Sequence, residues 1–110
     1  MIKKVLVSLV FGIVFSYAQE QTKKSVDCLI LKDENSIICK YETIRKNSDE
    51  PILIEWIDPK GNVSRTREMT VPAGHGSIYD FRYIKNRSLG TWTFKVSSKD
   101  EVYTTTFELK

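Results

Sequence analysis

The stretch Gly90-Thr91-Trp92-Thr93-Phe94-Lys95-Val96 alternates large apolar residues with small or charged ones. A period of two puts Trp92, Phe94 and Val96 on one face of a strand and Thr91, Thr93 and Lys95 on the other, the signature of a half-buried sheet. Ser97-Ser98-Lys99-Asp100 then ends the pattern. The remainder of the chain reads as partners for this strand.

At the start, Lys3 and Lys4 precede an apolar run over residues 5 to 15 and then Ser16-Tyr17-Ala18, with small residues at the two positions a signal peptidase reads. Residues 1 to 18 are expected to be a signal peptide cleaved after Ala18, with a periplasmic or secreted destination. The run is about half of the ~20 residues a spanning helix needs, so no membrane span is expected in the mature chain. Cleavage removes Lys3 and Lys4 but no acid. Lys plus Arg then falls from 17 to 15 against 14 Asp plus Glu, and the net charge from +3 to +1. That balance points away from general affinity for nucleic acid or anionic membrane. The 92 residues left after removing 18 from 110 make a small domain that buries about 60 to 65% of its unfolded surface, a size at which a covalent staple helps.

Cys28 and Cys39 are the only cysteines, and in an exported chain they are expected to pair. Leu29-Ile30-Leu31, the polar Lys32-Asp33-Glu34-Asn35 and Ser36-Ile37-Ile38 lie between them. This reads as strand, turn, strand, and folding it back sets the two cysteines opposite each other. Closing so short a loop stabilises the fold by about 3 kcal/mol in the chain-entropy model. A reactive dithiol would want a Cys-x-x-Cys pair near a helix start, which this sequence lacks.

Residues 19 to 25 are polar and aperiodic and are expected to form a flexible N-terminal arm before a domain over residues 26 to 110. The second strand, residues 36 to 42, carries Ile37, Cys39 and Tyr41 on one face. A polar loop over residues 43 to 50 follows. Pro51-Ile52-Leu53-Ile54-Glu55-Trp56-Ile57-Asp58 is apolar on both faces, which suits a central strand with Pro51 at its start. Asp58-Pro59-Lys60-Gly61-Asn62 is a turn in which proline presets one backbone angle and glycine accepts a positive one. Residues 63 to 71, rich in Arg65, Thr66 and Arg67, suit an edge strand. Pro72-Ala73-Gly74-His75-Gly76 turns the chain again, and residues 77 to 83 place Tyr79, Phe81 and Tyr83 on one face with Asp80 and Arg82 on the other. The two strands are expected to form a hairpin in which Met69 and Val71 share a face with Tyr79 and Phe81. Residues 102 to 109 close the chain with Tyr103, Thr105, Phe107 and Leu109 inward.

About seven strands bounded by turn chemistry, with no helical period, predict an all-β fold: an antiparallel immunoglobulin-like β-sandwich. The cysteines are too close in sequence for the inter-sheet bond of antibody domains. The expected core is Trp56, Tyr79, Phe81, Trp92, Phe94, Val96 and Phe107. Trp56-Ile57-Asp58-Pro59-Lys60-Gly61-Asn62, Ser77-Ile78-Tyr79-Asp80-Phe81, Gly90-Thr91-Trp92-Thr93-Phe94-Lys95-Val96 and Thr106-Phe107-Glu108-Leu109 together resemble a macroglobulin-type Ig-like domain. The resemblance covers residues 52 to 109 and implies the sandwich fold. The bait region and thioester Cys-x-Glu-Gln that make macroglobulins protease traps are missing, so it implies no trap activity.

No stretch assembles a recognisable catalytic site. His75, the sole histidine, lacks the second histidine or free thiolates that a metal would need and has no nucleophile elbow near it. No enzyme activity, metal or cofactor is expected, and a strand-building chain of this size leaves no surplus residues for a cofactor pocket of ~300 Å³. The candidate binding surface is Arg65, Arg67, His75 and Arg82, within a basic set that includes Arg45, Lys46, Lys85 and Arg87. Arginine beside exposed aromatics suits an acidic protein or a carboxylated glycan, whereas a charged edge strand also serves simply to block aggregation. Asn62 and Asn86 fit the glycosylation pattern, but the leader is bacterial in character and both read as turn asparagines. The expected function is a non-catalytic binding or structural module of the cell envelope that contacts another envelope protein. A small inhibitor of proteases or lysozyme-like enzymes and a glycan-binding module remain open alternatives.

Overall fold

The computed structural model describes residues 24 to 99 and 101 to 110. The expected leader, residues 1 to 18, lies outside the described residues, as does the arm up to residue 23. Seven strands follow in order: β1 (Ser25–Leu31), β2 (Ser36–Glu42), β3 (Glu50–Ile57), β4 (Val63–Val71), β5 (Ser77–Tyr83), β6 (Gly90–Ser98) and β7 (Glu101–Leu109). They make two antiparallel sheets, β1-β2-β5 and β4-β3-β6-β7, packed as an immunoglobulin-like β-sandwich. Among the described residues no helix is long and apolar enough to cross a membrane.

The core follows from alternation. In the four-stranded sheet Trp56 lies opposite Phe94 and Ile54 opposite Val96, while Trp92 lies opposite Phe107. All six are buried. Trp56 meets Phe94 edge-on with ring centroids 5.2 Å apart, and Trp92 stacks on Phe107 at 6.2 Å. The three-stranded sheet contributes Ile37, Cys39 and Tyr41. Each such side chain adds roughly 1.5 to 3 kcal/mol by leaving water.

The first hairpin turns through a single 3-10 turn over Lys32–Glu34, with Asn35 in the left-handed region at φ 54°. Cys28 and Cys39 face each other directly and are joined, with Cα atoms 4.1 Å apart. That close approach belongs to a non-hydrogen-bonded pair of antiparallel strands. The bond is compatible with an extracytoplasmic location.

β3 lies between β4 and β6, and β4 forms the sheet edge. Gly90 opens β6 at φ 125°, where a Cβ would come within 3.0 Å of Pro59 in the preceding sheet turn, so this close approach requires glycine. β6 continues two residues beyond Val96 because Ser98 is buried and its hydroxyl donates to Glu50.

The expected β4–β5 hairpin does not form. β4 pairs with β3, with Met69 opposite Ile52, and β5 pairs with β2, with Phe81 opposite Ile38. The chain crosses from one sheet to the other through the turn at Pro72-Ala73-Gly74-His75. Inside it His75 N–H donates to Pro72 C=O at 3.0 Å, and Gly74 N–H donates to Lys46 C=O at 2.8 Å. Ala73 N–H donates to Asp49 Oδ1 at 2.8 Å. These bonds tie the turn to the β2–β3 connection and carry it across the end of the sandwich.

Candidate functional site

β5 carries the largest departure from the sequence expectation. Its register against β2 places Ile78, Asp80 and Arg82 beside the inward-facing Tyr41, Cys39 and Ile37. Tyr79 and Phe81, expected in the core, are instead 57% and 51% exposed, and Tyr83 joins them on the outside. Phe81 continues an apolar row made by Leu29 and Ile38 across the outer face of the sheet, and Leu29 is exposed as well.

The reason for the inversion is polar. Trp56 is fully buried, and its indole N–H needs an acceptor. Asp80, only 3% exposed, supplies one. Trp56 Nε1 donates to Asp80 Oδ2 at 2.8 Å, and Arg67 Nη1 donates to Asp80 Oδ1 at 2.7 Å. A buried carboxylate is tolerated when it is paired and hydrogen-bonded in this way. Arg82 lies over the Trp56 ring, with Cζ 5.6 Å from the centroid, and donates from Nη1 to Ser64 Oγ at 3.1 Å. Its Nε is buried without a partner. Burial first, then repulsion from Arg87 and Arg65, lowers the Arg82 pKa from its ordinary value.

Three of the four residues expected to form a binding surface therefore converge. Arg65 and Arg67 reach from β4 toward β5, where Arg65 Nη1 donates to Phe81 C=O at 3.5 Å. Arg82 comes from β5 itself, and its guanidinium is drawn inward instead of standing on the surface. His75 stands apart, exposed in the crossover turn. Arg87 was visible only as one of several basic residues, yet its Nε donates to Tyr83 C=O at 3.2 Å and completes the row. Asp80 was legible only as the polar alternate of an aromatic strand, although a buried tryptophan seeking an acceptor is a signal that points to such a residue.

A second buried acid closes the opposite end of the sandwich. Glu50, 6% exposed, accepts from Tyr41 Oη at 3.2 Å, from Thr43 Oγ1 at 3.4 Å and from Ser98 Oγ. Burial pushes its carboxyl pKa up, but the bond from Ser98, the charge of Lys46 and the bond from Tyr41 outweigh it and leave the pKa below the ordinary 4.5. Glu50, Ser98, Lys46, Lys99 and Glu101 line an open cleft of about 330 Å³. The Glu50 carboxylate facing it is engaged by the fold's own hydroxyls and stands 3.7 Å from Lys46 Nζ.

Among the described residues no cluster of three histidine, cysteine, aspartate or glutamate side chains is placed to hold a metal ion. No protein-family model matches the chain, and no curated protein matches it either.

Proposed function

We propose that the chain is a non-catalytic, exported module of the bacterial cell envelope that contacts another protein through its β5 edge. The observation that carries this reading is the outward stripe of Tyr79, Phe81 and Tyr83 on a strand that has a neighbour on one side alone. An open edge offers main-chain hydrogen bonds to an incoming strand, and the aromatic side chains beside it offer apolar contact. The cysteine pair and the leader-like first 18 residues support export. The resemblance to macroglobulin-type modules belongs to the same reading.

The test is site-specific photocrosslinking in intact cells producing the full chain, with the crosslinking side chain at Tyr79 or, as a control, at the exposed Thr104 of β7. One adduct of defined mass, formed from Tyr79 and absent from Thr104, is the expected result. Equal capture from both positions, or none from either, would end the docking reading.

A further inference from the structure

The free hydrogen-bonding groups of β5 can be assigned residue by residue. Thr43 N–H donates to Gly76 C=O and Ile84 N–H donates to Asn35 C=O, both at 2.9 Å. At both ends of the strand, therefore, even-numbered residues turn their backbone groups toward β2. Alternation along an antiparallel pair then turns those of Ser77, Tyr79, Phe81 and Tyr83 toward the open side. The bonds from Arg65 to Phe81 C=O and from Arg87 to Tyr83 C=O fall on that side, as the assignment requires.

Charge narrows what can pair there. Arg65 and Arg87 lie along this edge with the inward-drawn Arg82 behind them, and none of the three is in an ion pair among the described residues. The one acid on β5, Asp80, is already engaged by Arg67 and Trp56. Burial, and then the neighbouring charges of Arg87 and Arg65, lower the Arg82 pKa, while Asp80 acts the other way. A second copy pairing β5 with β5 would bring the same arginines together, so charge opposes self-association. The Phe81 and Tyr83 rings stand at 88° to each other and so present no common plane on which successive sugar rings could stack.

Resting on the docking reading above, we infer that the β5 edge takes an extended acidic segment of another protein as an added strand. Its backbone pairs with Tyr79, Phe81 and Tyr83. Its side chains alternate, apolar residues extending the outer row from Phe81 and carboxylates turning toward Arg65 and Arg87. Incoming amide N–H groups take over the Phe81 and Tyr83 carbonyls, and the released guanidiniums turn to the carboxylates in charge-assisted hydrogen bonds.

The experiment is an amide NMR titration of the disulfide-bonded chain with three probes: a nine-residue peptide alternating valine and glutamate, its valine and lysine counterpart, and an oligosaccharide of uronic acids. The glutamate peptide should shift the Tyr79, Phe81 and Tyr83 amides, with affinity falling about tenfold or more in the Arg65→Ala/Arg87→Ala double variant and again in high salt. The dispersion of the remaining amides reports whether that variant is folded. Equal binding of the lysine peptide would overturn the acidic-segment inference and leave edge docking intact. Preferential binding of the oligosaccharide at the same amides, or no β5 shift with millimolar glutamate peptide, would also overturn it. A Tyr79 crosslink obtained alongside either result would show that the inference had failed and the docking reading had not.

Discussion

β5 and β6 have the same period-two pattern and opposite fates. In β6 the aromatic set, Trp92 and Phe94, goes inside and the threonines and Lys95 go toward solvent. In β5 the aromatic set goes outside, and Asp80 and Arg82 go in. The difference is not hydrophobicity, since Tyr79 and Phe81 would bury as much apolar area as many core residues. It lies in what the polar alternates find. Thr91, Thr93 and Lys95 have no buried group asking for them, whereas Asp80 meets the Trp56 indole N–H and the Arg67 guanidinium. A buried polar group that satisfies two donors can outweigh two half-buried aromatic rings.

Four measurements would break or sharpen that contrast. Trp92→Ala should cost roughly 3 to 5 kcal/mol in denaturant unfolding, most of the stability of a domain this small. A variant melting within a degree or two of the parent would place Trp92 outside the core. Asp80→Ala should cost roughly 2 to 3 kcal/mol, because it strands the Trp56 N–H and leaves Arg67 unpaired; Asp80→Asn, which keeps an acceptor for Trp56, should lose less. If the two variants are equally stable to the parent, polar satisfaction does not set the face of β5.

The third measurement uses acid. Glu50 has a folded pKa below its ordinary 4.5, so the folded state prefers the carboxylate. Its contribution is present above pH 4.5 and is lost as pH falls through the lower folded value. Glu101, whose pKa is lowered chiefly by the hydrogen bond from Lys24, acts in the same direction on the surface. Stability should therefore decline below pH 4.5, and Glu50→Gln should flatten that decline. An unchanged acid limb in the variant would assign it to other carboxylates. The smallest effect belongs to Phe81→Ser, within about 0.5 kcal/mol of the parent as for surface substitutions generally, against the loss expected at Trp92. A cost comparable with that at Trp92 would return Phe81 to the core.

Much of the architecture was legible. Alternation and turn chemistry predict the strand at residues 77 to 83 with the bounds it has, the charge on β4 predicts the edge it occupies, and the spacing of the cysteines predicts their pairing. The face of β5 was not legible, because alternation fixes which residues travel together and leaves open which set goes inside. That choice depends on Trp56, 24 residues away in the chain, and on Arg67. The turn from Pro72 to Gly76 misled for a related reason: its proline and glycines suit a hairpin and a crossing between sheets equally. In the sequence Glu50 is the end of a polar loop, since its partners Tyr41, Thr43 and Ser98 meet only once the sheets have packed.

The two flanks of the sandwich are closed by different means. On one, β1 packs along β7. On the other, β4 and β5 are not paired with each other, and arginine side chains bridge them with hydrogen bonds to Asp80, Phe81 and Ser64. Such a clasp can let go without dismantling either sheet. Local opening should begin there, at a free energy below that of global unfolding, so the β2-facing amides of Ile78, Asp80 and Arg82 should exchange with solvent deuterium ahead of paired amides in β3 and β6. The flank where β1 packs along β7 should then hold longest, and the arginine flank should open first.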